Sequence, residues 1–490
     1  MKNIDLKNIV SRLILIDIQD PNFLTKFPFA GYILFYKDVD HSPNGWLKLK
    51  EMNEHYVDIF EKKFGVDVFR SVDQEGGVVF RFDYPDFPAV CSQSSINNES
   101  DAYLVAKFNG LILKYLGFNL NFSPVMDVNT NNENPIIGVR SFGNDSHKVS
   151  IFSKMYIRAY NEVNILCTGK HFPGHGDTNV DSHLDLPVST LTDEHLYPFI
   201  FNKSILPSIM SAHVVYENVD NFPATMSKKV LDLYQPYDGL IFSDALNMKA
   251  LKNFKWEDVL LNSLYAGIDV LLILGDDELK MRSIEFLADR AEKDLQFREL
   301  VFSKCQKINR FLKRLKKLEN YESILEELKK LKKWMFNDYE IPIIQKGNEK
   351  IFKSFFTSDL PTIFILSSNY IKLIGINQKI ESLLRSFFGG KFNNINFVEI
   401  LDPNQVDNVI KSVDFKSPVL VCYLVMDNSY QFFIDKLGSL NKDVFVLSFS
   451  NPFIRGDYVV NIGGFSEVHL LNLTKWLSKF VEGINRIEIV

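Results

Sequence analysis

The stretch from Lys170 to His183 concentrates side chains that can move protons. It holds three of the nine histidines, two aspartates, two glycines and a proline, and it follows an apolar run at 165–167 that predicts a strand. Imidazole titrates near neutral pH, so a histidine can act first as an acid and then as a base. Asp181 lies two positions before His183, so its carboxylate can orient the ring and stabilise the protonated form. The stretch therefore predicts half of an acid–base site, which Asp244 could complete as a carboxylate nucleophile.

The same stretch also contains residue types that suit a metal ion. His171, His175 and His183, with Asp181, could bind zinc, and barrels host metal-dependent hydrolases. However, spacing that puts two ligands on one helix face, as in His-Glu-x-x-His, is absent from the sequence. A loop rich in glycine and proline also imposes no regular ligand geometry. We therefore favour catalysis without metal and expect no cofactor, with a metal-dependent barrel hydrolase as an alternative.

Eight short apolar runs, separated mainly by amphipathic segments, indicate the architecture that would position these groups. The strand candidates are Leu13–Ile18, Tyr32–Tyr36, Val66–Val72, Leu120–Val125, Ile165–Cys167, Ile209–Ala212, Gly239–Phe242 and Val270–Leu274. This alternation predicts a parallel sheet closed as a (β/α)8 TIM barrel, with an open doubly wound sheet as the alternative. A Gly-x-Gly-x-x-Gly turn after the first strand and a Walker loop are both absent, which weakens a nucleotide-binding interpretation.

Polar groups follow five of these strand candidates, where a barrel gathers its catalytic side chains. They are Asp73-Gln74-Glu75-Gly76-Gly77 and Arg81 after the third, Asp127 and Arg140 after the fourth, Lys170 and His171 after the fifth, His213 after the sixth, and Asp244 after the seventh. Each also has a structural interpretation: an aspartate can cap a helix, an arginine can form an ion pair, and paired glycines can permit a tight turn. His213 is better interpreted as a hydrogen-bonded core histidine, and His175 as a brace for its loop.

Length and composition limit the number of domains, the classes of binding partner and the cellular location. With 490 residues the chain predicts more than one domain, and its net charge of −6 argues against binding to nucleic acid or an anionic membrane. The four cysteines are far apart, which favours reduced thiols. The first apolar run is too short for a secretory signal, and no window predicts a membrane-spanning helix, so a cytoplasmic location is expected.

A second series of apolar runs predicts a smaller α/β domain after the barrel. The candidates are Thr362–Leu366, Phe397–Ile400, Val419–Val425, Val444–Phe449 and Val459–Ile462. We expect a catalytic barrel over 1–318, a helical linker over 319–338 and a C-terminal α/β sandwich domain over 339–490. This last domain has no specific motif, and a scaffold or dimerisation role is expected for a chain that is a monomer or homodimer.

Three segments together resemble the family-3 glycoside hydrolases, and more narrowly their bacterial β-N-acetylglucosaminidases. They are Asp73-Gln74-Glu75-Gly76-Gly77, Lys170-His171-Phe172-Pro173-Gly174-His175-Gly176 with Asp181-Ser182-His183, and Phe242-Ser243-Asp244. The second signature is long and highly specific, and the similarity extends over about residues 10 to 315. The resemblance implies a (β/α)8 barrel that removes a terminal, non-reducing β-linked N-acetylglucosamine with retention, usually from cell-wall muropeptides recovered in the cytoplasm.

The resemblance also implies a role for particular residues. Asp244 matches the nucleophile, and His183 matches the acid/base with Asp181 as its partner. The residues that match positions holding sugar hydroxyls and the acetamido group are Asp73, Arg81, Arg140, Lys170 and His171. The expected partner is thus a small carbohydrate, an N-acetylglucosaminide.

One position departs from the family pattern. Ala245 follows Asp244, where the family usually has a second acidic residue. This neighbour is not the nucleophile, so the reaction type is unaffected, while substrate preference or pH optimum could differ. The sequence is also compatible with a broader β-hexosaminidase, a β-glycoside phosphorylase or a catalytically inactive sugar-binding module.

Overall fold

The computed structural model describes most of the chain. It covers residues 5–315, 321–339, 344–346, 362–366, 376–388, 396–406, 409–410, 419–424, 430–440, 444–449, 458–462, 464, 469–470 and 472–473. The expected boundary at 318/319 and the last part of the expected C-terminal domain, 474–490, lie outside these residues.

Eight parallel strands close a barrel in the order β1-β2-β3-β4-β5-β7-β9-β10, with β10 pairing β1. They are β1 (Ile14–Asp17), β2 (Gly31–Leu34), β3 (Phe69–Val72), β4 (Leu120–Asn121), β5 (Leu166–Phe172), β7 (Ser208–Ser211), β9 (Leu240–Ala245) and β10 (Val270–Ile273). Short strands β6 (Val188–Ser189) and β8 (Val215–Tyr216) form a separate pair. The barrel strands are almost wholly buried, as parallel strands covered on both faces should be. The prediction of a closed barrel from eight apolar runs is confirmed.

Helices surround the barrel and connect its strands. They are α1 (Leu6–Ser11), α2 (Pro21–Leu24), α3 (Gly45–Phe64), α4 (Glu99–Tyr115), α5 (Ser146–Glu162), α6 (Asp193–Asn202), α7 (Lys228–Asp232), α8 (Trp256–Ala266), α9 (Asp277–Lys293), α10 (Leu295–Arg314) and α11 (Tyr321–Lys333). Local signals set several ends. Asp145 accepts hydrogen bonds from the backbone N–H groups of His147 and Lys148 at the start of α5. Gly65, with φ of 66°, ends α3 in the left-handed region that favours glycine.

Aromatic side chains fill the barrel beneath its carboxyl end. The Phe242 ring meets the Phe69 and Phe122 rings edge-on, at centroid distances of 5.7 and 5.5 Å. All three side chains are fully buried. Asp244 follows two positions after Phe242 at the carboxyl end of β9, where its charge is coupled to His213, His171 and His183.

A second, six-stranded sheet follows, in the order β11-β16-β15-β14-β12-β13. Its strands are β11 (Ile344–Lys346), β12 (Thr362–Leu366), β13 (Asn396–Ile400), β14 (Val419–Tyr423), β15 (Val444–Ser448) and β16 (Tyr458–Asn461), with helices α12 (Ile376–Phe388) and α13 (Gln431–Leu440) between them. Among the strand pairs that the structure describes in this sheet, only β11–β16 is antiparallel. Phe433 and Leu437 of α13 share one core with Phe364 and Val421 of the sheet. The predicted smaller α/β domain is thus confirmed, and we call it the C-terminal unit.

Within the parts of the chain that the structure describes, no helix combines the length and the apolar character needed to cross a bilayer.

Candidate active site

Strand β5 is longer than its apolar pattern predicts. The sequence predicts that it ends at Cys167, but the ladder continues to Phe172. Lys170 and His171 are therefore strand residues, both buried, rather than the first residues of a loop. Asp244 likewise lies within β9, whose predicted end was Phe242. These polar residues belong to the barrel wall, so the strands hold them more rigidly than a loop would.

Five buried or half-buried charged side chains form a network that we call the charge cradle: Asp73, Glu75, Arg81, Arg140 and Lys170. The Lys170 Nζ atom lies 2.8 Å from Asp73 Oδ1 and 2.6 Å from Glu75 Oε1. The Arg81 Nη2 atom donates to Asp73 Oδ2 at 3.0 Å. Burial raises the pKa of Asp73, but Lys170 and Arg81 outweigh it and hold that pKa below its ordinary value. The cradle therefore presents ionised carboxylates and cations in fixed positions.

Glu75 and Arg140 form the two-bonded pair of the cradle. Arg140 Nε donates to Glu75 Oε2, and Arg140 Nη2 donates to Glu75 Oε1, both at 2.9 Å. The remaining guanidinium nitrogen donates to the backbone oxygen of Ile136. Although burial acts in the opposite direction, Arg140 and Lys170 lower the pKa of Glu75 to about 2. No role was predicted for Glu75, although a carboxylate between Asp73 and two glycines at a strand end was a signal that could have indicated one.

Asp127 positions the loop after β5. Its Oδ2 atom accepts from His171 Nδ1 at 2.8 Å, and its Oδ1 atom accepts from the backbone N–H groups of His171 and His175. The helix-cap interpretation of Asp127 is wrong, because the next helix, α5, begins only at Ser146. Asp127 therefore keeps the His171 ring in one orientation. The position of Asp127 at the end of a predicted strand was the sequence signal that could have indicated this role.

His175 braces its own loop. Its Nδ1 atom lies 2.7 Å from Thr178 Oγ1, and its Nε2 atom lies 3.2 Å from Ser182 Oγ. Burial, with a smaller contribution from His171, lowers the pKa of His175 to about 4, so the ring is neutral. This agrees with the interpretation of His175 as a loop brace. Among the residues that the structure describes, no three histidine, cysteine, aspartate or glutamate side chains are grouped to hold a metal ion.

Asp181 and His183 are hydrogen-bonded on an exposed part of the β5–α6 loop. His183 Nδ1 donates to Asp181 Oδ1 at 2.8 Å, and the backbone N–H of His183 donates to the same oxygen. The His183 side chain is 60% exposed. The hydrogen bond to Asp181 raises the pKa of His183, and burial opposes it only in part. The backbone oxygen of Ser182 accepts from the backbone N–H of Ala250 at 3.2 Å, which ties this loop to the segment after β9.

Asp244 is an ionised carboxylate at the end of β9. Burial alone would raise its pKa, but His213, His171 and His183 together hold that pKa below its ordinary value. The Asp244 Oδ1 atom also accepts from the backbone N–H of Ala245 at 2.7 Å. The helix-cap interpretation does not apply, since Asp244 is a strand residue. The structure thus brings Asp244 and His183 to the same end of the barrel and couples their charges.

His213 is a satisfied core histidine, as expected. Its Nε2 atom lies 3.0 Å from the backbone oxygen of Ala245, and its Nδ1 atom lies 2.8 Å from Thr225 Oγ1. Because the carbonyl oxygen can only accept, Nε2 carries the proton and Nδ1 accepts from the hydroxyl. Burial lowers the pKa of His213, which agrees with a neutral ring at neutral pH. This side chain holds the end of β9 next to Asp244.

The fold and the site together define a class. A closed parallel barrel with an ionised aspartate, a histidine–aspartate pair and a charge cradle at its carboxyl end is the arrangement of a barrel hydrolase. The glycosyl hydrolase family 3 N terminal domain matches residues 6–309, and the chain belongs to that family. It is a glycoside hydrolase.

Curated relatives agree with this assignment, and solved structures share the fold. The chain is 31% identical over 280 residues to β-hexosaminidase A of Pseudoalteromonas piscicida, and the aligned region covers 51% of this chain but only 46% of that protein, about half of its length. It is 31% identical to a β-hexosaminidase of Idiomarina loihiensis, over 54% of this chain and 80% of that one. A family-3 β-N-acetylglucosaminidase from a Paenibacillus species has the same fold, with a TM-score of 0.75, 20% identity and 97% of both chains covered. A β-glucoside phosphorylase gives a TM-score of 0.73 at 18% identity, covering 96% of this chain and 91% of that one.

Proposed function

We propose that this protein is a retaining exo-β-N-acetylglucosaminidase, which removes terminal, non-reducing β-linked N-acetylglucosamine. The observation that carries the proposal is the hydrogen-bonded Asp181–His183 pair, whose charge is coupled to an ionised Asp244. The curated relatives named above are β-hexosaminidases, which supports the substrate class. An acid/base group and a carboxylate nucleophile are the two parts that retaining hydrolysis requires.

In the first step, Asp244 attacks the anomeric carbon while protonated His183 gives its proton to the glycosidic oxygen. The carbon–oxygen bond breaks, the aglycone leaves as an alcohol, and the sugar is bound to Asp244. Asp181 supports this step because its carboxylate stabilises the imidazolium and raises the pKa of His183.

In the second step, neutral His183 takes a proton from water as the water oxygen attacks the same carbon. Asp244 leaves as a carboxylate, and His183 is again protonated. Two displacements at one carbon give retention. The exposure of His183 suits this step, because the ring must meet the leaving group first and water second.

The charge cradle and His171 are proposed to hold the sugar. Asp73 lies between two cations, so its oxygens are fixed acceptors for sugar hydroxyls. The Lys170 ammonium and the Arg81 and Arg140 guanidiniums are donors for hydroxyl and acetamido oxygens. Asp127 fixes the His171 ring by accepting from Nδ1, which leaves Nε2 for the ligand.

The biological source of the substrate is a further part of the proposal. We propose muropeptides or other cell-wall fragments, hydrolysed in the cytoplasm by a monomer or homodimer. The support for this part is the resemblance of the Lys170–His183 signature to bacterial β-N-acetylglucosaminidases.

Turnover of matched aryl glycosides tests the substrate class. We expect an aryl β-N-acetylglucosaminide to be hydrolysed with a much higher kcat/KM than the corresponding β-glucoside, and free β-N-acetylglucosamine to be the first product. Faster turnover of the glucoside would contradict the proposal. Equal turnover of the N-acetylgalactosaminide would indicate a broader β-hexosaminidase.

A phosphorylase is a second candidate, because a histidine acid/base does not repel an incoming phosphate anion as a carboxylate would. The same assay with inorganic phosphate separates the two. Hydrolysis gives free sugar at an unchanged rate, whereas phosphorolysis gives a sugar 1-phosphate and a rate that rises with phosphate.

A further inference from the structure

The turn that follows β3 is packed against a neighbouring part of its own loop. Gly76 and Gly77 have φ values of 97° and 64°, which favour glycine. The Gly77 N–H donates to the backbone oxygen of Val90 at 2.9 Å. A Cβ atom on Gly77 would lie 2.4 Å from Ser92 Cβ. One side of this turn is therefore closed by residues 90–92 without spare room.

The other side of the turn is closed by the C-terminal unit. Gly464 packs so tightly that a Cβ atom there would lie 2.8 Å from Gly77 Cα and 2.5 Å from His469 Cε1. His469 is fully buried, and its Nε2 atom lies 3.5 Å from both the backbone nitrogen of Ser92 and the Ser95 hydroxyl. Since a backbone N–H can only donate, Nε2 accepts. Burial lowers the pKa of His469 to about 3, so the ring stays neutral and keeps this acceptor.

The same turn sets the positions of the cradle residues. Glu75 immediately precedes Gly76, and its backbone N–H donates to the oxygen of Val79 across the turn. The Gln74 side chain accepts from the backbone N–H of Arg81 at 2.7 Å. The orientation of Asp73, Glu75 and Arg81 therefore depends on where the turn lies.

We propose that Gly464 and His469 are positioning residues for the sugar-binding half of the active site. They close the C-terminal unit onto the Gly76–Gly77 turn and thereby fix the charge cradle, a role beyond the scaffold expected from sequence. The kinetic test of this role rests on the proposed N-acetylglucosaminidase activity, because the cradle holds the sugar and takes no part in the proton transfers.

Two substitutions test the proposal in the full-length protein. In His469→Ala and Gly464→Ala, we expect KM for an aryl β-N-acetylglucosaminide to rise about tenfold, below the ~100-fold that a ~1 Å misplacement can cost, with kcat changed less. The inhibition constant for free N-acetylglucosamine should rise by the same factor. His469→Gln, whose amide oxygen can accept from Ser92, should recover part of the loss. Arg385→Ala, which removes an exposed ion pair with Glu381 on α12 of the same unit, is the matched control and should change neither constant.

A second measurement does not depend on activity. Hydrogen exchange of the peptide that contains Gly77 should be faster in His469→Ala than in wild type, and unchanged in Arg385→Ala. Unaltered exchange, or KM values equal to wild type in both folded variants, would overturn the positioning role. If wild type itself turned over no N-acetylglucosaminide, the proposed function would fail, and exchange at Gly77 would still decide the inference.

Discussion

The charge cradle and the Asp181–His183 pair lie at the same end of the barrel but are built in opposite ways. Lys170 is 3% exposed and contacts two carboxylates, whereas His183 is 60% exposed on a loop. Buried, mutually paired charges are held in one arrangement, because any displacement leaves an ion unpaired. An exposed imidazole can meet the aglycone and then water. In the proposed reaction, the rigid half binds the sugar and the accessible half transfers protons.

Asp244 supplies the nucleophile of the proposed reaction, so its loss should have the largest effect. In Asp244→Ala we expect kcat for an aryl β-N-acetylglucosaminide to fall by at least about 10⁴-fold, because the covalent step has no nucleophile. Thermal unfolding should remain cooperative. Asp289→Asn, an exposed aspartate paired with Lys293, is the control and should retain full activity. If Asp244→Ala turned over the substrate at a rate comparable to that of wild type, Asp244 would not be the nucleophile.

A substitution in the proton-transfer half, the Asp181–His183 pair, should change the pH dependence of kcat/KM. In Asp181→Asn we expect kcat to fall by about 10²- to 10⁴-fold and the alkaline limb of kcat/KM to move to lower pH. The sign follows because the Asp181 carboxylate raises the pKa of His183, so without it the acid form is lost at lower pH. Asp185→Asn alters an aspartate on the same loop that pairs with Lys252, and should leave the limb in place. An unshifted limb in Asp181→Asn would mean that His183 is not the acid.

Substitutions in the rigid half, the charge cradle, should lower the free energy of unfolding. Glu75→Gln leaves Arg140 and Lys170 without their shared anion, and we expect the free energy of unfolding to fall by about 3–5 kcal/mol. Glu285→Gln, which breaks an exposed pair with Lys7, should lower it by only about 0–1 kcal/mol. Denaturant titration of the two variants measures both values, and equal losses would contradict the rigid cradle.

The pH dependence of this stability has a defined sign. The folded-state pKa of Glu75 is lowered to about 2, so its contribution is complete above the unfolded value of about 4.3 and is lost as pH falls toward 2. The stability difference between wild type and Glu75→Gln should therefore shrink over that range.

The smallest expected effect is that of metal removal, since neither half uses a metal ion in the proposed reaction. Exhaustive chelation followed by gel filtration should leave kcat and KM unchanged. Lost activity that is restored by added zinc would favour a metal-dependent hydrolase.

The sequence predicted the barrel well because eight buried parallel strands are eight apolar runs. The predicted ends of β5 and β9 were too early, because Lys170, His171 and Asp244 interrupt the apolar pattern. Hydrogen-bonding partners that lie far apart in the sequence could also not be identified from the sequence. Glu75 is 65 positions from Arg140, Asp127 is 44 from His171, and His469 is 377 from Ser92. Only Asp181 and His183, two positions apart, could be paired from sequence, and the structure has them hydrogen-bonded.

Trapping of the sugar on Asp244 is the most direct test of the proposed nucleophile. In His183→Ala, an aryl β-N-acetylglucosaminide with a good leaving group needs no acid for the first step but lacks the base for the second. We expect a burst of released phenol, followed by a peptide containing Asp244 that carries one N-acetylhexosaminyl group by mass spectrometry. A burst without any labelled peptide, or a label on another residue, would contradict it.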